Sequence, residues 1–225
     1  MNDAASGNFV THGAQLFRGA VKARLGDLDV ALSAVPQGQA GVRLHGLKIL
    51  LPLLISTGCI GLLAAQVLGR RATPVRAILF DKLAQNNWAL AWHQDRTICV
   101  RQKREAPGFG PWTMKGGMVH VAPPFDLLAR MVTLRVHLDD VPACNAPLLI
   151  APGSHRYGRV PEDRIDEVVR RCGIAMCLAK AGDVWLYATP ILHASKIASL
   201  PARRRVLQVD YAAEDLPHQL QWQGI

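Results

Sequence analysis

The sequence has little of what marks a secreted, membrane-spanning or nucleic-acid-binding chain. Its five cysteines, Cys59, Cys99, Cys144, Cys172 and Cys177, are odd in number and form no Cys-x-x-Cys. A disulfide scaffold is therefore excluded as the organising feature, and a reducing, cytoplasmic setting is expected. No run of five like charges occurs, although 26 basic against 17 acidic residues give a formal charge of +9. The surplus favours anionic ligands. Without a basic run it gives no ground for expecting nucleic acid. No positively charged leader precedes an apolar core at the N-terminus, so no signal peptide is expected, and residues 1–12, small and polar, are expected to be disordered. There is no internal repeat and no linker. A chain of 225 residues, 50% hydrophobic, suits one domain, residues 1–225, around one core.

Charged side chains are also missing from residues 49–69, a length that permits a membrane span. Pro52, the Ser56-Thr57-Gly58 break and Gln66 interrupt the stretch. Two buried helices are expected instead of stable membrane insertion, the second running from about Cys59 to Leu68 with Ser56 or Thr57 as its cap.

What is present begins with Trp92-His93-Gln94-Asp95. Residues i and i+2 of a strand point the same way, so His93 and Asp95 can offer an imidazole and a carboxylate from one face. Two histidines and one carboxylate on one side of an octahedron leave three positions open, the arrangement of non-haem Fe(II) oxygenases. A lone His-x-Asp equally fits a solvated or structural pair. His193 adds context, because Gly182 to Ser195 reads as a turn, a strand and a loop carrying His193, followed by a strand that opens with Arg203-Arg204-Arg205.

Along the chain, the apolar spacing from Ala14 to Leu32 predicts an amphipathic helix, ended by the loop at Pro36 to Gly41. Strands are predicted at Arg76–Lys82 and Trp88–Val100. In the latter, small or ligating residues at odd positions would face a cavity, with bulky ones at even positions packed behind. Arg101 to Val121 is glycine-rich and reads either as a lid, with Phe109, Trp112, Lys115 and His120 touching substrate, or as an ordinary surface loop. A short helix is predicted from Pro123 or Pro124 to about Arg130, and a strand at Val132–Leu138 with Thr133, Arg135 and His137 on one face, which either lines the barrel near the substrate or meets solvent on an edge strand. A helix is predicted at Pro161–Cys172, then strands at Ile174–Ala179, Asp183–Tyr187 and Arg205–Ala212. Helices followed by many short strands give an α+β class.

The His93-x-Asp95 pair, His193, Ser195 and Arg204 together resemble the phytanoyl-CoA dioxygenase family of Fe(II)/2-oxoglutarate oxygenases. Asn145-Ala146-Pro147-Leu148-Leu149-Ile150-Ala151-Pro152-Gly153-Ser154-His155 is similar to that family's Asn-Gly-x-Leu segment ending in Pro-Gly-Ser-His. Ala146 stands where the family carries glycine, which bears on the local turn and removes no ligand. The resemblance spans about Arg76 to Ala212. It implies a double-stranded β-helix, the jelly-roll or cupin-like core, over residues 76–212, with helical support from residues 14–70. It further implies Fe(II) held by His93, Asp95 and His193, and 2-oxoglutarate held by Arg204 with help from Ser195. Arg203 or Arg205 would replace Arg204 if the strand slipped by one residue. The implied reaction uses O2 to convert 2-oxoglutarate to succinate and CO2 while hydroxylating an unactivated C–H bond of a small-molecule substrate. Asp95 favours hydroxylation over halogenation, since halogenating relatives carry a small residue there. His155 is expected to be structural. A metal- and 2-oxoglutarate-binding sensor that does not turn over is the alternative.

Overall fold

A computed structural model describes residues 8–39 and 41–225. In chain order the strands are β1 (Ala14–Phe17), β2 (Val42–Leu44), β3 (Thr73–Lys82), β4 (Leu90–His93), β5 (Ile98–Val100), β6 (Trp112–Lys115) and β7 (Met118–Val121). They continue as β8 (Val132–His137), β9 (Leu148–Ile150), β10 (Ala175–Cys177), β11 (Val184–Ala188), β12 (His193–Ser195) and β13 (Arg204–Ala212). A six-stranded sheet runs β1-β11-β8-β13-β3-β2, a four-stranded sheet β10-β9-β12-β4, and a small third sheet β5-β7-β6. All pairings are antiparallel. The first two sheets form the jelly roll, and the third packs into an apolar cluster with Val75, Leu127 and Leu216.

The large sheet is two-faced because its strands alternate strictly. Leu79, Leu134, Val136, Val184, Leu186, Leu207 and Val209 form the outer face and pack against helices. The opposite face carries Arg76, Phe80 and Lys82 of β3, Thr133, Arg135 and His137 of β8, and Arg204, Gln208 and Asp210 of β13. The register aligns these residues across the sheet: Arg204 opposite Lys82, Gln208 opposite Arg135, and Asp210 opposite both Arg76 and Thr133. One face thus buries apolar surface while the other builds a polar cavity wall.

The supporting helices are α1 (Phe9–His12), α2 (Leu25–Leu32), α3 (Leu51–Leu54) and α4 (Gly61–Leu68). The uncharged stretch 49–69 divides between α3 and α4 as expected, and no helix among the described residues is long and apolar enough to cross a membrane. The expected cap is not used: Ile60 precedes α4 and makes no side-chain cap bond. Close backbone approach fixes the turn instead. A Cβ at Gly61 would lie 2.0 Å from the Ile55 carbonyl oxygen and 2.4 Å from that of Leu54. Gly61→Ala is therefore expected to cost about 2 kcal/mol, seen as a lowered Tm with metal affinity unchanged. Tyr211 of β13 ties the layers together by donating its hydroxyl hydrogen to the Leu54 carbonyl at 2.9 Å.

Three expectations for the N-terminal part need correction. Residues 1–7 lie outside the described residues, but Phe9–His12 is a helical turn, capped by the Asn8 side chain and ended by Gly13 at φ 70°. The Gly153 amide donates to the His12 carbonyl at 2.8 Å and anchors it. The predicted helix from Ala14 to Leu32 begins instead as β1, because the open edge of β11 offers Ala14–Phe17 a ladder from Tyr187 to Val184. Edge pairing outweighs the helical spacing of Leu16 and Phe17. Helical structure starts only at Lys22. The six-stranded sheet also extends beyond residues 76–212, with β1 at one edge and β2 at the other.

The predicted strand Trp88–Val100 is two strands in different sheets, β4 and β5, with residues 94–97 between them. Arg101–Val121 contains the hairpin β6–β7 rather than only a loop. Gly116 and Gly117, at φ 57° and 74°, make its two-residue turn, which requires left-handed backbone at both positions. Later predictions hold closely: a helix at Phe125–Ala129, α6 at Ile165–Cys172 ending at Gly173, and strands β8, β10, β11 and β13. His193 lies within β12 rather than in a loop. The five cysteines are free thiols.

Candidate metal centre

His93 ends β4 and His193 opens β12, and the two are direct cross-strand partners. Their ring centroids lie 4.2 Å apart. Asp95 follows on the irregular segment after β4. One ligand atom from each of His93, Asp95 and His193 falls within 4.8 Å of the others. The two histidines are oriented alike: Nδ1 of His93 bonds the Ala91 carbonyl at 2.8 Å, and Nδ1 of His193 bonds the Ile191 carbonyl at 3.0 Å. These bonds assign the proton to Nδ1 and leave the Nε2 lone pairs free, the form in which imidazole binds a metal.

Electrostatics match that donor set. Burial pushes the His193 imidazole down to about 4, against the pull of Asp95, so it stands neutral at pH 7. Burial alone would raise the Asp95 carboxyl, but His193, Arg76 and His93 outweigh it and hold the group below the usual carboxylate range. Two imidazoles and one carboxylate facing a common point fit a hard-to-borderline divalent ion with open coordination positions.

The strand that carries His93 is not a plain alternation. His193 pairs with His93, but Ser195 pairs with Leu90, so β4 holds one extra residue at a bulge. A bulge reverses which side chains face inward. Trp88 and Leu90 therefore line the cavity together with His93, Asp95 and Thr97. The expectation that Ala89 and Ala91 would open onto it is corrected on this account.

Residues outside the predicted set hold these ligands in place. Gln94, 3% exposed, lies between His93 and Asp95 at the cavity wall. Its amide donates to the carbonyls of Gly158 at 3.0 Å and Pro190 at 2.8 Å, and accepts from the Val160 amide at 2.9 Å. The residue between the two ligands thus straps them to the loops around β12. Arg76 donates to Asp210 at 2.5 Å and stands 3.8 Å from Asp95. Thr133 donates to the other Asp210 oxygen at 2.9 Å. The Pro152-Gly153-Ser154-His155 segment grips the residue before His193: Ser154 accepts the Leu192 amide at 2.8 Å, and the Ala151 amide donates to the Leu192 carbonyl at 2.9 Å. His155 packs against Phe9 and Gly13, away from the metal ligands.

The cavity is about 570 Å³, within the range that holds a small ligand. Ser195 and Arg204 line it with the three metal-ligand candidates. Among the three consecutive arginines the environments differ sharply. Arg203 pairs with Asp81 at 3.0 Å, and Arg205 pairs with Asp139 at 2.8 Å and Asp29 at 2.6 Å. Arg204 has no carboxylate partner among the described residues and donates instead to the Ala146 carbonyl. Ala146 adopts left-handed backbone, φ 47° and ψ 62°, the conformation for which glycine is ordinarily used.

Around Arg204 the wall is cationic and desolvated. Burial and Arg135 lower the Arg204 guanidinium to about 10. Burial, with Arg204 and Arg135, pushes Lys82 down to about 8. Lys82 donates to the Trp88 carbonyl at 2.9 Å and lies 3.9 Å over the Trp88 ring. Burial, Arg135 and Arg204 push His137 down to about 3, so it is neutral there. Arg135 bonds Gln208 at 2.8 Å. The alternation of Thr133, Arg135 and His137 was the available signal for this wall. Of the suggested lid contacts, Lys115 lines the cavity, Phe109 and Trp112 pack into an apolar cluster, and His120 is fully buried.

A sequence profile of the phytanoyl-CoA dioxygenase (PhyH) family matches residues 55–206. No curated protein matches. Solved structures share the fold at low identity. EctD from S. alaskensis with bound Fe is 17% identical, with a TM-score of 0.67 over 100% of this chain and 83% of that one. HygX from Streptomyces hygroscopicus with nickel, 2-oxoglutarate and hygromycin B is 13% identical, with a TM-score of 0.62 over 91% and 84%. The non-heme alpha ketoglutarate dependent epimerase SnoN from nogalamycin biosynthesis is 15% identical, with a TM-score of 0.61 over 94% and 87%.

Proposed function

The chain belongs to the phytanoyl-CoA dioxygenase family, and from that premise we propose that it is an Fe(II)- and 2-oxoglutarate-dependent dioxygenase that hydroxylates an unactivated C–H bond of a small organic substrate. The observation that carries the reading is the convergence of His93, Asp95 and His193 in a cavity that also holds Arg204, a buried cation without a carboxylate partner among the described residues. Fe(II), when bound with 2-oxoglutarate and O2, supplies the oxidising chemistry and yields succinate and CO2.

The chain's own residues supply binding and geometry. Nε2 of His93 and of His193 and the Asp95 carboxylate would hold the metal. Arg204 would receive the distal carboxylate of 2-oxoglutarate in the planar, two-pronged manner that guanidinium allows, with the Ser195 hydroxyl beside it. Lys82 and Arg135 raise the positive potential at that end, lying over the rings of Trp88 and Phe80. Asp95 occupies the position that would have to be small for a halide to enter, which favours hydroxylation. Neighbours of this fold serve different outcomes, since SnoN is an epimerase. The reading is tested by product analysis: succinate formed from 2-oxoglutarate in an Fe(II)-dependent manner and lost in His93→Ala supports it. Binding of both without succinate under any substrate tried would support a sensor.

Lys82 gives this site a pH signature. Its pKa of about 8 lies below that of an unfolded lysine because burial and two cations oppose its charge. The charge is present below that value and lost above it. The KM for 2-oxoglutarate is expected to be flat below pH 8 and to rise severalfold by about pH 9, with the rise absent in Lys82→Met. The ligand-free fold shows the opposite sign. The unfolded chain binds the extra proton between about pH 8 and 10.5, so stability increases with pH there.

A further inference from the structure

We propose that the primary substrate carries an anionic group, a carboxylate or a phosphate, and that Arg43 and Lys115 receive it on the β2 side of the cavity, across β3 from Arg204. The assignment rests on the functional reading above, which gives the Arg204 end to 2-oxoglutarate.

Arg43 lies on the edge strand β2, opposite Ile78, and its side chain enters the cavity. It passes beneath the hairpin turn, where a Cβ at Gly116 would sit 3.4 Å from its Cδ. Its Nε is buried without a hydrogen-bond partner. No carboxylate pairs with Arg43 among the described residues, and burial together with Arg76 lowers its pKa. Lys115, the residue before that same turn, lines the cavity and likewise has no carboxylate partner among the described residues. Both cations are therefore brought to one cavity wall without a counter-charge.

The other cavity cations are accounted for. Arg76 is bound by Asp210 and Asp95, and Arg96 by Glu162 at 3.3 Å and the Val160 carbonyl at 2.7 Å. Lys82 and Arg135 bond neutral oxygens beside Arg204. A partly buried guanidinium with an unsatisfied donor is costly to hold. Such a group is characteristic of a site whose ligand brings the compensating charge. The two ends are also well separated. Lys82, opposite Arg204, and Arg76, beside Asp95, are six residues apart on β3, about 20 Å along an extended strand. Arg43 stands opposite Ile78, between those ends and two residues from Arg76, whose guanidinium it senses, and on the other side of β3 from Arg204. A substrate anchored there, across β3 from Arg204, would extend its remaining portion toward the metal ligands.

The test uses protein loaded with Ni(II) and 2-oxoglutarate, titrated calorimetrically with methyl phosphate and, separately, with acetate. Wild type is expected to bind at least one of them, and the stronger binder identifies the headgroup. Arg43→Met and Lys115→Met should each weaken that affinity by about tenfold, while 2-oxoglutarate binding and Tm stay unchanged. Arg101→Met, at an exposed arginine outside the cavity, should change nothing. Equal anion affinity in wild type and both variants, or no anion binding by wild type, overturns the proposal. Failure of wild type to bind 2-oxoglutarate would overturn the functional reading, and the assignment of this group to a primary substrate with it.

Discussion

Arg204→Ala is expected to raise the KM for 2-oxoglutarate by about 100-fold or more, while Arg203→Ala and Arg205→Ala leave it within about twofold. A bidentate, charge-assisted carboxylate contact is worth about 3 kcal/mol or more, and each 1.4 kcal/mol is tenfold. Arg204 is the residue of the three that lines the cavity. Arg203 and Arg205 spend their guanidinium groups on Asp81, Asp139 and Asp29 outside it. Stability should show the reverse pattern. Arg203→Ala leaves the buried Asp81 carboxylate with the Gly38 amide, at 2.8 Å, as its remaining hydrogen-bond donor among the described residues, and Arg205→Ala undoes a two-pronged pair with Asp139. Each is expected to lower stability by about 1 kcal/mol. Arg204→Ala removes a desolvated charge with no anionic partner among the described residues and should leave Tm unchanged or raised. Steady-state kinetics with varied 2-oxoglutarate and thermal melts of the three variants check both halves.

Arg76→Met is expected to cost about 3–5 kcal/mol, the range for removing one partner of a buried ion pair. Arg76 and Asp210 side chains are 9% and 3% exposed, and their contact is 2.5 Å, so the orphaned carboxylate would have little access to water. Asp95 loses its neighbouring guanidinium in the same variant, and metal affinity should fall about 10–100-fold, as for other groups that orient a ligand. Combining Arg76→Met with Asp210→Leu removes both buried charges. It should recover much of the stability without restoring metal affinity. Denaturant melts and metal titrations of the single and double variants separate the two effects.

The pattern of what the sequence disclosed follows from which interactions are local. His93-x-Asp95 and the segment around His193 are short motifs whose side-chain types carry the chemistry, so they were legible directly. The alternation of Thr133, Arg135 and His137 marked one face of β8, but whether that face lined the cavity or met solvent depended on the neighbouring strands β11 and β13. Helices α3, α4 and α6 followed from apolar spacing and breakers. By contrast, β1 and β2 exist because sheet edges elsewhere accept them, and the helical spacing of Leu16 and Phe17 gave the opposite impression. The bulge in β4 depends on the register with β12, which no residue near Leu90 encodes by itself. Choosing among three adjacent arginines required knowing where Asp81, Asp139 and Asp29 lie, up to 176 positions away. Arg43, Arg76 and Gln94 carry no motif, because their roles are set by distant partners. The Gly116-Gly117 dipeptide was a usable hairpin signal, hidden by the glycine content of its surroundings.

The most direct measurement is an anaerobic titration of Fe(II) and 2-oxoglutarate into the metal-free protein, following the weak visible charge-transfer band of the chelate, with His193→Ala alongside. The account predicts a band that saturates at one equivalent in wild type and is absent in folded His193→Ala. Folded wild-type protein that binds Fe(II) yet shows no band would contradict the placement of 2-oxoglutarate between the three ligands and Arg204.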